Sequence, residues 1–492
     1  MHDPWPQRPI LYEIDTWVWL HDLSQRYGHP ITLGTVPDEQ WAAIAALGVD
    51  AVWLMGVWER SPVGIGVSNA NVMLQEEFRR ALPDYAPADN VGSAYCVRQY
   101  VVDERLGGPP GLQAAREKLA QHDVRLVLDF VSNHVARDHP WVQEHPEYFV
   151  QGSGENLARA PTEFFAAGEN VIACGRDPNF PPWEDVAQIN AFHPGLRQAA
   201  VETAAAIAEQ CDGMRCDMAM LLLKGVFERT WGDLAGLPPA EEYWREVIDA
   251  VRIRHPHVLF IAEAYWDLEW ELQQLGFDYC YDKRLYDRLV HASAEEIRLH
   301  LTAGLDYQDR LVRFIENHDE PRAAATFSPE KERAAAVTIL TLPGAKLLYE
   351  GQLEGRRVRP PVFLARRPAE AADTELETFY RKLLQAVSLA ELREGEWRLC
   401  ERVGWPGNAT YLNLVAWCWR REETRYLVVV NLSEARSQAR VRLPWGELAE
   451  RTWWLVDVLS DEGYERDGHE LRDPGLYVDL PAWGVHFLGI RP

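Results

Sequence analysis

Short, continuous apolar runs alternate along the chain with stretches whose apolar residues recur at helical spacing. The run Val124 to Leu128 opens the segment VRLVLDFVSNH (124–134). Flanked by turn residues, it predicts a strand buried on both faces. It ends in Asp129, and Asn133 and His134 follow within one short loop. GMRCDMA (213–219), LFIAEAYW (259–266) and VRFIENHDE (312–320) repeat this form, each apolar and then reaching a carboxylate: Asp217, Glu263 and Asp319. Buried strands that deliver polar groups at their C-terminal ends are how a parallel α/β barrel builds a site. Acidic tips so far apart in sequence converge only if the strands lie side by side.

The remaining pattern fills in such a barrel. Residues 9–17 predict a first strand, and a helix follows from Asp38, with Trp41, Ile44 and Leu47 on one face and Gly48 as its stop. DAVWLMG (50–56) is the second strand. A long loop rich in Gly, Pro and Asn follows, including GSAYCVRQY (92–100) and a Gly64-x-Gly66 turn. Leu112, Ala115 and Leu119 mark the helix before the third strand, and Pro194 opens the helix before the fourth, DGMRCD. A helix over about 240–253 precedes VLFIAEA, and a helix capped by Asp267 and stopped by Gly276 precedes FDYCYD. Ser293 and Glu296 fit a capping box ahead of VRFIENHD. Ser328-Pro329 starts the helix before AKLLYE (345–350), and a last amphipathic helix spans about 375–389.

These eight strand–helix units predict an α/β fold, a (β/α)8 barrel over 1–134 and 194–392. Residues 135–193 carry Pro, Gly and aromatics without a lasting period, and a connection of that length predicts an inserted subdomain after the third strand. Its aromatics (Trp141, Tyr148, Phe149, Phe164, Phe165, Phe180, Trp183) are expected mainly as subdomain core, with one or two binding ligand. From 393 to 492 the period shortens: ATYLNLVAWCW, RYLVVVNLS, SQARVRLPW, RTWWLVDVLS and LYVDLPAWGVHFLG predict a C-terminal antiparallel β-sandwich.

Composition narrows the function. The net charge of −25 repels nucleic-acid phosphates and anionic membranes. No uninterrupted apolar stretch is long enough to span a bilayer, and the N-terminus lacks the basic start and apolar core of a signal peptide. Seven scattered cysteines form no C-x-x-C pair and are expected as reduced core residues in a cytoplasm. His134 and His139 are not at metalloprotease spacing. Oligomeric state has no sequence signal.

The acidic stretches resemble, in order and placement, the four signatures of the α-amylase family, glycoside hydrolase family thirteen. DFVSNH looks like the first, GMRCDMAM the second, FIAEAYW the third and FIENHDEPR the fourth. The physical logic agrees. Glycoside hydrolysis with retention needs a carboxylic acid to protonate the leaving oxygen and a carboxylate nucleophile close by. Positions 215 and 217 point the same way on a strand, so the Arg215 guanidinium would keep Asp217 ionised as a nucleophile. Glu263, between apolar neighbours, would hold a proton as the acid.

The resemblance implies more. Asp319 would be the third catalytic carboxylate. His134 and His318 would bind the reacting sugar, Asp129 would support the site, and Tyr95 would stack on the ring. Arg322 is a further expected substrate contact, and Trp266, just after the acid/base, offers a ring that could stack on an acceptor sugar. Asn133 would offer a side-chain oxygen to calcium, should the chain hold it, with Asp177 and Glu184 as candidate partners; no cofactor is required. The chain departs from family patterns at Met220 and Leu221, where many endo-amylases carry Lys-His, and at Cys96, where pocket-type α-glucosidases carry Asp. The expected function is a retaining hydrolase of α-glucosidic bonds in maltooligosaccharides or α-glucans, with an acceptor side made apolar by Met220 and Leu221. The alternatives are a transglycosylase of the same family (an α-glucanotransferase or a sucrose/trehalose-type enzyme) and a non-catalytic binding protein on this fold.

Overall fold

The computed structural model describes residues 4–491. Eight strands close into a barrel: β1 (Ile10–Asp15), β2 (Ala51–Met55), β3 (Arg125–Phe130), β4 (Gly213–Cys216), β5 (Leu259–Ala262), β6 (Tyr279–Tyr281), β7 (Leu311–Arg313) and β8 (Ala345–Tyr349), in the cyclic order β1-β8-β7-β6-β5-β4-β3-β2. The pairings β2–β3, β3–β4, β4–β5, β5–β6 and β7–β8 run parallel. Every residue of β1, β2, β4 and β5 is buried, as apolar runs covered on both faces must be.

Several expected boundaries move. β1 ends at Asp15, and a helix begins at once, α1 (Thr16–Tyr27), because the Asp15 carboxylate accepts from the Val18 amide and caps it. The connection after β2 contains α2 (Pro62–Ala70) and α3 (Val72–Ala81) rather than open loop. Ser61 caps the first with Pro62 at its first position, and Asn71 caps the second. Gly64-x-Gly66 is therefore helical, not a turn. A Cβ on Gly64 would lie 2.6 Å from the Cys96 sulfur, so close approach rather than backbone freedom explains that glycine. The predicted Ser293–Glu296 capping box is present.

Contacts divide the chain into two compact units, one holding residues 4, 12–281 and 358–369, the other 5–11, 282–357 and 370–491. In the first, a four-stranded antiparallel sheet follows β3, in the order 134–136, 183–188, 170–175, 164–167. Phe149 and Phe164 are buried there, as expected of subdomain core, whereas Phe180 is exposed. In the second unit, residues 396–491 form a six-stranded and a three-stranded antiparallel sheet. Their inward residues, among them Leu414, Leu427, Ala439, Val441 and Leu488, share one core. The indole of Trp419 donates to the Thr341 carbonyl at 2.8 Å, joining this domain to the helix α4 (Pro329–Thr341) ahead of β8.

Gly344, which leads into β8, holds φ at +95°, and a Cβ there would overlap the backbone oxygens of Leu311 and Gln308. Neither the left-handed backbone nor those carbonyls can yield cheaply. Gly344→Ala is expected to lower unfolding free energy by more than about 2 kcal/mol, read as a reduced denaturation midpoint. An unchanged midpoint would show that this turn tolerates a side chain.

Candidate active site

The barrel register assembles the site. Cys216 pairs with Ala262, so Asp217 and Glu263 stand side by side one residue past the ends of β4 and β5. Their backbones continue the ladder: the Asp217 amide donates to the Phe130 carbonyl at 3.0 Å, and the Glu263 amide to Cys216 at 3.1 Å. Arg215 pairs with Asp129 of β3, which puts both side chains on the face that Asp217 shares two residues on.

Arg215 is buried at the centre. Its Nη1 donates to Asp217 Oδ1 at 2.8 Å and to Asp129 Oδ1 at 3.4 Å, and its Nη2 lies 2.7 Å from Glu263 Oε2. The rings of Trp53, Tyr95 and Tyr281 surround its Cζ at 5.2, 5.2 and 5.8 Å. Burial alone would lower the pKa of the guanidinium. Glu263, with Tyr95, Tyr281 and Asp217, outweighs that and raises it well above the ordinary arginine value. The charge at the site is permanent.

Asp129 and Glu263 are each fixed from more than one side. Asp129 Oδ2 accepts from Trp53 Nε1 (3.1 Å) and from the amide of Gly56 (3.3 Å). Glu263 Oε2 accepts from the Met218 amide at 2.7 Å, and Oε1 from the Tyr265 hydroxyl at 2.7 Å. Met218 adopts φ +43°, a left-handed backbone that aims its N–H at Glu263. The expectation of an apolar setting for Glu263 is thus corrected: its immediate partners are two hydrogen-bond donors and the ion-paired Arg215 guanidinium, because the chain beyond Ala262 turns Tyr265 back and Asp217 brings Met218 alongside.

His134 lies beside this cluster. Its Nε2 is 3.2 Å from the Tyr95 carbonyl, its Nδ1 is 3.4 Å from Asn133 Nδ2, and its ring is 5.2 Å from that of Trp183. Burial lowers its pKa to about 4, although the Tyr95 carbonyl opposes this, so the imidazole is neutral at ordinary pH. In the second unit, His318 is buried and its Nε2 lies 3.0 Å from Asp319 Oδ2, whose side chain is 40% exposed. The Asn317 side-chain oxygen holds this turn by accepting from the amides of Asp319 and Glu320, both at 2.9 Å.

The sequence profile described as "Alpha amylase, catalytic domain" matches residues 39–415. The chain belongs to the α-amylase family. It is 25% identical over 365 residues to an α-amylase of Haloarcula japonica (72% of this chain, 45% of that protein). It is 22% identical over 285 residues to α-amylase 3 of Dictyoglomus thermophilum (52% of each). It therefore spans about half the length of these relatives. Among solved structures, an α-amylase from Lactobacillus plantarum superposes with a TM-score of 0.68 at 19% identity, covering 98% of this chain and 99% of that one. A maltogenic α-amylase from Thermotoga neapolitana gives 0.69 at 18%, covering 99% of each. These likenesses describe the fold.

Within the α-amylase family's set of expected residues, the structure brings Tyr95, Asp129, Arg215, Asp217 and Glu263 into one cluster, with His134 against the Tyr95 backbone. Trp266 is 39% exposed just beyond it in sequence. Arg322 is fully buried in the second unit, where it donates to Glu316 Oε1 (2.7 Å) and to the Glu350 carbonyl (2.9 Å) and lies over Tyr349. Met220 and Leu221 are likewise buried, because the 3-10 turn 219–222 folds them into the core, and they do not make an apolar acceptor surface. Cys96 packs with Ala136, Val186 and Trp183.

Three contributors were missed: Tyr265, Trp53 and Gln188. Alternation from position 263 to 265 could have indicated the first. The other two depend on partners 76 and 55 residues away and leave no local signal. Gln188 bears on the fit of a calcium ion. Its Nε2 donates to the Asn133 carbonyl (2.9 Å) and to Asn133 Oδ1 (3.0 Å), so an amide hydrogen stands at the oxygen a cation would use. Asp177 Oδ1 accepts from the amides of Asn179 and Phe180 at 2.6 and 2.9 Å. These residues do not fit a calcium site, and among the described residues no group of three or more His, Cys, Asp or Glu could hold a metal ion.

His139, whose ring meets Trp141 at 4.6 Å, is also lowered to about 4, by burial first and by Arg98 second. Between the ordinary histidine value near 6.5 and about 4, the unfolded chain binds protons that the folded chain refuses at His134 and His139. Stability is therefore full above pH ~6.5 and lost as pH falls toward 4. His139→Gln is expected to remove about one proton from the slope of stability against pH in that window. An unchanged slope would mean that His139 titrates normally when folded.

Proposed function

We propose that this chain is a retaining glycosidase acting on α-glucosidic bonds of maltooligosaccharides or α-glucans, with Asp217 as nucleophile and Glu263 as acid/base. The observation that carries the reading is the single guanidinium of Arg215 shared between Asp217 and Glu263 at 2.8 and 2.7 Å. A permanent buried cation beside Asp217 favours its anionic, nucleophilic form. In the first step Asp217 bonds to the anomeric carbon as the leaving oxygen takes the proton of Glu263. In the second, Glu263 takes a proton from water as the water oxygen displaces Asp217. Asp319, held against His318, is assigned by family resemblance as the carboxylate that steadies the oxocarbenium-like transition state. The neutral His134 suits a sugar hydroxyl as partner.

Transfer to a sugar acceptor is a second reading, and exposed Trp266 favours it, since an indole beside the acid/base offers a face on which an acceptor ring can stack. No helix of the described residues is long and apolar enough to cross a membrane. The seven cysteines are buried as thiols, which suits a reducing cytoplasm.

Asp217→Asn is expected to cut kcat by roughly 10^4-fold or more while leaving the denaturation midpoint near that of the parent. The hemiacetal newly formed by hydrolysis of maltotriose should appear first as the α-anomer; first appearance as the β-anomer would reject retention. A time course with and without added glucose or maltose separates hydrolysis from transfer.

The Asn133–Gln188 pairing supports a fold that needs no calcium. Melting temperature and activity should be unchanged after treatment with a chelator. A fall in either that added calcium restores would refute this.

A further inference from the structure

We infer that the catalytic proton of Glu263 resides on Oε1, and that Tyr265 is the positioning residue that confines it there. The inference rests on the reading of Glu263 as acid/base. The two oxygens of Glu263 have different partners. Oε2 faces Arg215 Nη2 and the Met218 amide, both at 2.7 Å. Neither group has a lone pair to offer, and the guanidinium keeps its protons. A proton on Oε2 would be driven against the Met218 N–H and the adjacent guanidinium charge. Oε1 faces the Tyr265 hydroxyl at 2.7 Å, and a hydroxyl both donates and accepts by rotating about its C–O bond. Oε1 can therefore gain and lose a proton without leaving either state unmatched.

The chain geometry supports a dedicated placement. Beyond Tyr265 the backbone reverses through Trp266 and Asp267, both at φ +63°, and the Leu268 amide closes the turn on the Tyr265 carbonyl at 3.3 Å. Two successive left-handed residues make the kind of turn that Asn-Gly usually fills. A tryptophan there is strained, and such strain persists where the surroundings over-determine it. The turn leaves Tyr265 half-buried, its hydroxyl on Glu263, and Trp266 exposed. The other ionisable groups facing Glu263 are Arg215 of β4 and Tyr281 of β6, with Asp217 reached through Arg215.

The proton path then balances. With Glu263 protonated on Oε1, the Tyr265 hydroxyl accepts and holds the proton until substrate arrives. As the glycosidic bond breaks, its electron pair stays on the leaving oxygen, which takes the Oε1 proton, and Asp217 bonds to the anomeric carbon. The Tyr265 hydroxyl turns and donates to the new carboxylate. In the second half Oε1 takes a proton from water as the water oxygen bonds to the anomeric carbon and the Asp217 ester breaks. Oε2 stays proton-free, tied to Arg215, throughout.

Tyr265→Phe keeps the ring and removes the hydroxyl. With maltotriose, kcat/KM is expected to fall about 10- to 100-fold. The basic limb of its pH profile should move, because the hydroxyl that meets Oε1 in both of its states is gone. With α-glucosyl fluoride, whose leaving group needs no proton, kcat/KM should be nearly unchanged. Equal losses on both substrates, or a pH profile that does not move, would overturn the inference and leave Tyr265 a packing residue. Glu263→Gln is the parallel control. If it retains full activity on maltotriose, the acid/base reading itself fails, whatever Tyr265→Phe does. Thermal midpoints of both variants confirm that folded protein is compared.

Discussion

A guanidinium with almost no access to water lies between three carboxylates at the ends of three neighbouring strands, and the site geometry follows from keeping it there. Burying an unpaired arginine costs several kcal/mol, and that cost is offset only when its donors meet acceptors in good geometry. Arg215 meets Asp217, Glu263 and Asp129 within hydrogen-bond or ion-pair distance and is ringed by Trp53, Tyr95 and Tyr281. The cation thus orients both proposed reacting carboxylates at once. It also makes them interdependent, since moving either one leaves a buried charge partly unmatched. The register of β3, β4 and β5 is what permits this, because a one-residue slip would turn every one of these side chains to the other face.

The second compact unit holds buried ion pairs of its own. Arg322 is buried against Glu316, and Arg313 against Asp282 with His300 on the same carboxylate. These pairs hold the segments that follow β6, β7 and β8. Around the inserted sheet a neutral version appears: Gln188 binds the backbone and side-chain oxygens of Asn133, fixing strand 183–188 against the loop that carries His134. A charged joint there would need a cation to balance it. An amide pair needs only shape and direction, and it satisfies its own donors.

Left-handed backbone occurs beside the proposed reacting carboxylates. Met218, Trp266 and Asp267 are non-glycine residues with positive φ, and they flank Asp217 and Glu263 in sequence. Other left-handed positions in the barrel include the glycines Gly56 and Gly344 and, just before β3, Asp123. The contrast has a physical reading. A glycine at 218 or 266 would relieve the backbone but leave the chain free to adopt other turns, whereas a residue with a side chain is held in its strained turn by packing and hydrogen bonds around it.

The sequence by itself determined the barrel, its eight strands, the β-sheet tail and the acidic strand tips, because these depend on local period and on which residues end each apolar run. It also indicated that Arg215 and Asp217 share a face, since alternation along a strand is a local rule. Tertiary structure alone decided the rest. The helix over 62–70 was hidden by its glycines, one of which, Gly64, packs closely against Cys96. Arg322, Met220 and Leu221 have residue types that suit a binding surface, yet all three are buried, and burial is a property of the whole fold. The partners of Glu263 show the limit most directly. Its sequence neighbours are mostly apolar, but the strand ends there, and a left-handed amide from one segment and a hydroxyl returned by a turn surround it with donors instead. Which groups meet a side chain beyond a strand end is set by how neighbouring loops reverse, and no local pattern of residues encodes that.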